Sequence, residues 1–508
     1  MEGTPSHEKN HDDLLKLVLQ LQKQLASQAK QLASQAKLID RQAKRIAELE
    51  AELKELRKRN PTQRLDDAYS VKAEEKRRED AQQDGKSKKK KQKSKRRGRI
   101  TTAEKLAMAT QEENIWPAEY SLEECTFRYS RVAWRIINGQ AVLVAYHIYA
   151  GPDRRVPQVP GVPKRGEFGT EIITSLAYQH TIAGLPLDTV IGEFEFYWNL
   201  TLRKSQADSM LNRLAKDWLP EFDALCQLLA VSAVVYADET SWSINSVWAF
   251  LSPHSRITVF GCRKDGDTLA VLLKKEEFNG ILVSDDAAVY QGFSRAQKCW
   301  AHLLRKAIRL TLLKPERVEY KDFVEALLSI YRKGKAIAAD KRLSEAGRRA
   351  RVEQMVDAVC DCTGVRFSDE TKPADEAEKD FFNLTHEIVR LMSEDELFTF
   401  VIYPEADGTN NISERQLRDA AQDRVTGRTN KTERGARRRT VITSVLDSLR
   451  AHLPKLTLKT VLKELEHWQE TGISCFRQLV KKLRLPALSL PEKIHSPLEL
   501  LVPLNNTG

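Results

Sequence analysis

Residues 234–242 read VVYADETSW, an apolar run that ends in two adjacent carboxylates, Asp238 and Glu239. Valine and tyrosine suit a half-buried or buried strand, so the question is why the strand finishes in the charges that are hardest to bury. The neighbouring segments bear on it. SVWAFLS (246–252) and RITVFGC (256–262) read as two further strands separated by Pro253 and His254, giving an antiparallel meander. GILVSDDAAVY (280–290) is a fourth strand that again runs from apolar residues into carboxylates, Asp285 and Asp286. A fifth short strand near QKCWA (297–301) leads into the helix HLLRKAIRLTLL (302–313). Trp242 and Trp248 read as core aromatics.

If the first and fourth strands are neighbours, Asp238 and Asp285 meet at one end of the sheet and repel one another unless a cation lies between them. Carboxylate oxygens are hard ligands and suit Mg²⁺ or Mn²⁺. Two such ions can serve an in-line phosphoryl displacement, which calls for a third carboxylate. The candidate is Glu414, in DGTNNISERQLRDAAQDRVTGRTNKTERGARRR (407–439). A purely local reading competes, with Asn411 as a helix N-cap, Glu414 completing a capping-box-like pair, and Glu414 bridging to Arg418 one turn on. The basic surroundings favour chemistry on phosphate. Arg415, Arg418, Arg424, Arg428, Lys431, Arg434 and the Arg437–Arg439 run would place the acid in a cationic field.

The whole chain leans the same way. Its 508 residues hold 82 Lys and Arg against 71 Asp and Glu, a net charge of +11 that points to a polyanionic partner, DNA first. A hydrophobic content of 41% is enough for real cores. The seven cysteines are scattered without paired C-x-x-C ribbons, which argues against a disulfide framework and a zinc ribbon and fits a reducing compartment. No run is long enough to span a membrane, and the N-terminus lacks an apolar signal core, so a cytoplasmic protein is expected.

Upstream, residues 24–58 repeat with a period of seven (QLASQAK, QLASQAK, LIDRQAK, RIAELEA, ELKELRK). Val18, Leu25, Leu32, Ile39, Ile46 and Leu53 fall on one seam and Leu21, Leu49 and Leu56 on the other, with Gln28, Gln35 and Gln42 between them. This is the pattern of a coiled coil and predicts a homo-oligomer. The run KSKKKKQKSKRRGR (86–99) is too charged to fold alone, and Lys88, Lys89, Lys90, Arg96 and Arg97 read as a sequence-independent phosphate contact. Residues 125–150 alternate around Asn138-Gly139 as a β-hairpin, and the Pro- and Gly-rich stretch 151–169 reads as a linker. Residues 185–219 read as two helices across a break near Trp198–Leu200, a candidate helix-turn-helix with Arg203, Lys204 and Arg213 facing phosphate.

In order and spacing, ADETSW, ILVSDDAAVY, KCWAHLLRK and NNISERQLR resemble the catalytic domain of transposases of the insertion sequence 66 family, within the DDE superfamily. The resemblance covers roughly residues 170–450. It implies an α/β ribonuclease H-like core with a helical insertion at 311–399 and a metal-binding catalytic triad on Asp238, Asp285 and Glu414. It also implies Mg²⁺ or Mn²⁺, two ions, used to cleave transposon ends and to join the freed 3′ hydroxyls to target DNA without a covalent protein intermediate. The implied partners are transposon and target DNA and accessory transposition proteins, in a prokaryotic cytoplasm at the nucleoid. The chain departs from the family pattern at Asp286, where glycine is usual, at Thr409, where aspartate is usual, and in lacking the upstream cysteine-rich zinc module, whose place the 125–150 hairpin would take. Cys299 and His302 stand at C-x-x-H spacing; two ligands do not make a zinc site, and the pair is expected to support the fold or border the active site.

The expected divisions are a coiled coil (1–60), a disordered basic linker (61–100) and a hairpin module with its linker (101–165). A helical region with the candidate DNA-binding pair (166–230) follows, then the catalytic core (231–310 with 400–450), the helical insertion (311–399) and a helical tail (451–508). Two other functions fit the same residues: an inactive, oligomeric DNA-binding regulator derived from a transposase, and a metal-dependent nuclease without joining activity.

Overall fold

The computed structural model describes residues 100–364, 373 and 375–504, together with Lys44. Apart from Lys44, the heptad segment and the basic run with Lys88, Lys89, Lys90, Arg96 and Arg97 lie outside the described residues. The described chain is a mixed α/β protein with two mixed sheets. Among the described residues no helix is long and apolar enough to cross a membrane.

A short helix α1 (Thr102–Ala107), closed by a Thr101–Glu104 capping box, precedes the first sheet. Its strands are β1 (Gln111–Ile115), β2 (Thr126–Ile137) and β3 (Gln140–Ala150), in the order β1-β3-β2. Asn138 and Gly139 both have positive φ, as a tight primed turn requires, and β2 and β3 pair antiparallel across it. The hairpin gains a strand that the alternation does not reveal, because β1 adds in parallel to β3. The stretch expected to be a linker is pinned to β2 at its far end. Trp134 N–H donates to Glu167 O and Gly169 N–H to Trp134 O, both at 2.8 Å. The Glu171 carboxylate accepts from Arg135 Nε at 2.8 Å and from Ile136 N at 3.0 Å.

Four helices follow: α2 (Thr170–Ala177), α3 (Leu187–Trp198), α4 (Lys204–Asp217) and α5 (Leu219–Ala230). The break between α3 and α4 falls where the sequence predicts it, with Asn199 in the left-handed region at φ 53°. Both helices bury an apolar face, Val190 and Phe194 on α3 and Ala207, Met210 and Leu211 on α4. That face belongs to the same continuous core as Trp248, Phe250 and Leu282 of the second sheet.

The second sheet is built from β4 (Val234–Ser241), β5 (Ser246–Leu251), β6 (Arg256–Cys262), then helix α6 (Gly266–Leu272), β7 (Ile281–Ser284) and β8 (Ala296–Lys298). Its order is β6-β5-β4-β7-β8. The first three strands form the expected antiparallel meander, while β7 pairs parallel to β4 and β8 parallel to β7. Trp242 and Trp248 are buried in its core.

From β8 the chain enters a helical excursion, α7 (Trp300–Leu313), α8 (Val318–Ala339), α9 (Glu345–Thr363), α10 (Glu376–Ser393) and α11 (Thr399–Ile402), with its own core around Trp300, Phe323, Leu327 and Ile388. It returns through α12 (Asn411–Val425) and α13 (Glu433–His452), and ends in α14 (Leu458–Thr471), α15 (Cys475–Lys482) and α16 (Pro497–Leu501). Helix α13 solves the problem of the exposed edge on β6. Backbone N–H groups of Arg256, Thr258 and Phe260 donate to the hydroxyls of Ser448, Ser444 and Thr440 at 2.9, 3.0 and 3.0 Å. Residues two apart on a strand advance about 6.6 Å and residues four apart on a helix about 6 Å, so the two rows match in step. The otherwise unpaired edge is thereby satisfied and covered.

Candidate active site

Strand β4 does not end at the carboxylates as the sequence suggests: it runs on to Ser241, paired with β5, and only its parallel pairing with β7 stops short of Asp238, at Tyr236. The parallel pairs Val234–Ile281, Val235–Leu282 and Tyr236–Val283 are each 47 residues apart in sequence (281 − 234 = 47), and so are Asp238 and Asp285 (285 − 238 = 47). Extended two residues past its last pair, that register sets Asp285, just beyond the end of β7, beside Asp238 on β4. Asp238 Oδ1 accepts from Glu239 N–H at 2.9 Å, and Asp285 Oδ1 from Ala287 N–H at 3.0 Å. Burial pushes the Asp238 pKa up to about 7, and the charges of Glu239, Asp285 and Glu414 add to the rise. Asp238 therefore feels both of the other acids that the sequence singles out.

The flanking acids have other occupations. Alternation along β4 turns Glu239 to the opposite face, where its buried carboxylate accepts the Tyr290 hydroxyl and pairs with Lys264 Nζ at 2.5 Å. Asp286 forms an ion pair with Arg390 of α10. Its other oxygen, Oδ1, is buried without a hydrogen-bond partner.

Glu414 stands in the first turn of α12, and its setting corrects the local reading. Asn410, not Asn411, is the N-cap residue, and it makes no side-chain cap bond. Instead the buried Asn410 Nδ2 donates to Ala237 O at 2.8 Å, and its N–H donates to Cys299 Sγ at 3.2 Å. Glu414 does not bridge to Arg418; Arg305 Nη2 of α7 donates to Glu414 Oε1 at 2.6 Å. Tertiary partners on β4 and α7 thus replace the local cap. Cys299 and His302, expected beside the active site, adjoin Glu414 directly: His302 Nδ1 lies 3.7 Å from Glu414 Oε1. Among the described residues, Cys299, His302 and Glu414 are the one group of three metal-ligating types whose ligand atoms all lie within 4.8 Å of one another. Asp238, Asp285 and Glu414 do not meet that distance as a trio.

The basic residues divide into two sets. Arg415, Arg418, Arg424, Arg428, Lys431 and Arg434 are exposed. Arg424 Nη1 also donates to Ser241 O at 2.9 Å, tying the end of α12 to the end of β4, and Arg428 Nη1 donates to Gly184 O at 2.8 Å. The Arg437–Arg439 run does not add to the cationic surface as expected. Arg437 Nε donates to Val502 O at 2.6 Å, Arg438 pairs with Asp208, and Arg439 pairs with Asp423 while stacking 4.5 Å from the Phe260 ring centre. Their side chains join α13 to the helices and sheet around it. Of the helix-turn-helix candidates, Lys204 pairs with Asp188 at 2.7 Å across the two helices.

Sequence reasoning does not pick out Lys298, Arg305, Arg390 or Asn410. Lys298 is buried, with its Nζ 3.3 Å from Tyr290 O, 3.4 Å from Ser284 Oγ and 3.8 Å from Glu396, and burial holds its pKa below the usual lysine value. Together with Asp285, His302, Lys306 and Arg390 it lines a cavity of about 710 Å³ between the sheet tip and α10. The signal for Asn410 is the doubled asparagine ahead of the glutamate; the others come from elements whose approach the sequence does not state.

A family model described as the transposase IS66 family matches residues 165–438, more than half of the chain. No curated protein matches it.

Proposed function

The chain belongs to the transposase IS66 family, and from that premise we propose a DDE-type DNA transposase whose catalytic carboxylates are Asp238, Asp285 and Glu414. The observation that carries the reading is the placement of Asp238 on β4 and of Asp285 just past the end of its parallel neighbour β7, in continuation of their shared register, with the charges of Asp285 and Glu414 both felt at Asp238. The order β6-β5-β4-β7-β8, three antiparallel strands followed by two parallel ones, supports a ribonuclease H-like core with the α7–α11 excursion as its insertion.

The donor set fits a pair of hard divalent ions, Mg²⁺ or Mn²⁺. Burial, and then the charges of the neighbouring carboxylates, push Asp238 up to about 7, a situation that a bound cation relieves. Such ions activate a water or a 3′ hydroxyl and stabilise the leaving oxygen. A two-ion site does not require its three acids to share one ligand distance; Asp238 feels the charges of both Asp285, just past β7, and Glu414 on α12, which supports the reading. The chain's own work is to hold these acids still. Asn410 fixes the start of α12 to β4, and Arg305 positions Glu414. Asp286 pairs with Arg390 through one oxygen, whereas the charge of Asp285 reaches Asp238, which favours Asp285 as the ligand that follows β7. The exposed Arg415, Arg418, Arg424, Arg428 and Lys431 supply phosphate contacts beside the site. Oligomerisation through residues 1–60, phosphate binding by 86–99 and a need for accessory proteins are carried by sequence pattern and family resemblance.

The test is Mn²⁺-dependent nicking of supercoiled plasmid by the full chain beside Asp238→Asn. Loss of nicking with DNA binding kept supports the proposal, and assays for strand joining then separate a transposase from a nuclease. Equal cutting by both proteins would overturn it. DNA binding without cutting by either would favour the inactive regulator.

A further inference from the structure

Cys299 is the N-cap residue of the 14-residue helix α7, and its Sγ makes no side-chain cap bond. Besides the Asn410 N–H at 3.2 Å, the backbone N–H groups of Ala301 and His302 favour its ionised form, against the burial that holds the thiol's pKa above its ordinary value. His302, one turn on, carries a buried Nδ1 without a hydrogen-bond partner, 3.7 Å from Glu414 Oε1. In a tetrahedral zinc site with bonds of about 2.0–2.3 Å, neighbouring ligand atoms stand roughly 3.3–3.6 Å apart. The His302–Glu414 edge is already close to that length, and no edge of the trio exceeds 4.8 Å.

We propose that Cys299, His302 and Glu414 form a three-ligand site for a soft divalent cation, Zn²⁺, with water in the fourth position. A thiolate and an imidazole select against Mg²⁺ and Mn²⁺, so this site differs in chemistry from the carboxylate set. On binding, the S–H bond of Cys299 breaks, its proton passes to solvent and an S–Zn bond forms, with nothing oxidised or reduced. Arg305 holds Glu414 Oε1, so the ion takes Oε2 or displaces the guanidinium. The two sites share Glu414. The consequence, which rests on the transposase reading above, is that Zn²⁺ draws Glu414 away from Asp238 and Asp285 and opposes Mn²⁺.

The full chain, stripped of metal with a chelator, is titrated with Co²⁺ while thiolate-to-cobalt charge transfer and the intense visible bands of tetrahedral cobalt are followed. One equivalent with both features, displaced by Zn²⁺, is expected. Cys299→Ser and His302→Ala should each raise the Co²⁺ dissociation constant by more than about 100-fold, beyond what changes around a metal's ligands usually cost. Cys360→Ser/Cys362→Ser should leave it unchanged. If the Cys299 and His302 variants misfold, X-ray absorption of the zinc-loaded wild-type protein decides, with one sulfur and three nitrogen or oxygen ligands expected. No charge-transfer band in the wild type, or a band lost only with Cys360 and Cys362, overturns the proposal. Because these readouts do not use DNA cleavage, the site stands or falls apart from the transposase reading.

Discussion

Asn410 Nδ2 donates a hydrogen bond to the carbonyl of Ala237 at 2.8 Å, so the start of helix α12 hangs from the residue immediately before Asp238. The same asparagine receives the Ser413 hydroxyl on its backbone carbonyl at 2.9 Å and gives its N–H to Cys299 Sγ. Asn410 is fully buried, so each of these groups lacks water as a substitute. One side chain thereby ties the start of α12, which carries Glu414, to the strand that carries Asp238.

Asn410→Ala strands the Ala237 carbonyl in a buried place, which typically costs about 1–3 kcal/mol. Thermal and denaturant unfolding should show that loss. Nicking should fall more than binding to the same plasmid, because the variant loosens Glu414 without removing a phosphate contact. Equal losses in cutting and in binding would mean that Asn410 supports the fold alone.

Asp238 gives the metal-free protein a definite pH dependence. Its folded pKa of about 7 lies above the unfolded value near 3.9, so the folded state binds the extra proton. The stability this confers is complete below about pH 4 and is lost as the pH rises through 7. The melting temperature in chelator should therefore drop from pH 5 to pH 8 by more in the wild type than in Asp238→Asn. Asp223, pushed up to about 6 by burial, contributes to both proteins and cancels in the comparison. Mn²⁺ at pH 8 should recover the wild type and leave the variant unmoved; identical pH profiles would reject the account.

The adjacent acids that follow β7 should separate cleanly. Asp285→Asn is expected to abolish Mn²⁺-dependent cutting at little cost in stability, since the amide oxygen of the substituted side chain can still accept from Ala287 N–H. Asp286→Asn removes the charge facing Arg390 and should lower the melting temperature while cutting persists. The reverse pattern, with Asp286→Asn inactive and Asp285→Asn active, would move the ligand by one residue.

The sequence exposes the site where the chemistry is written along one strand and hides it where partners come from afar. Asp238 and Asp285 are legible because each closes an apolar run, and their common offset of 47 residues needs only a parallel pairing to bring them together. Glu414 is legible from its basic surroundings and the family resemblance, yet its immediate partners are not. A local rule makes Asn411 the cap, whereas the helix starts one residue earlier because Ala237 O and Cys299 Sγ hold Asn410. The arginines of α13 look like more phosphate-binding charge, but Asp208, Asp423 and Val502 O take them inward. Thr440, Ser444 and Ser448 recur every four residues and so share one helix face, and that face meets a sheet edge the sequence does not announce. Spacing reports which residues share a face; it does not report what that face meets.

The inward arginines also sharpen the test of DNA contact. Arg418 and Lys431 are exposed, so replacing both with alanine should leave the unfolding free energy within about 0.5 kcal/mol of wild type. If both meet phosphates, the slope of log affinity against log salt should flatten by about 2 × 0.9, or roughly 1.8. Arg438→Ala is the contrast, because it removes the ion pair that joins α13 to Asp208 on α4. It should destabilise the protein and leave the salt slope alone. A slope that changes with Arg438 and not with Arg418 and Lys431 would place the DNA on the α4 side of the molecule, and with it the candidate helix-turn-helix rather than the surface beside Glu414.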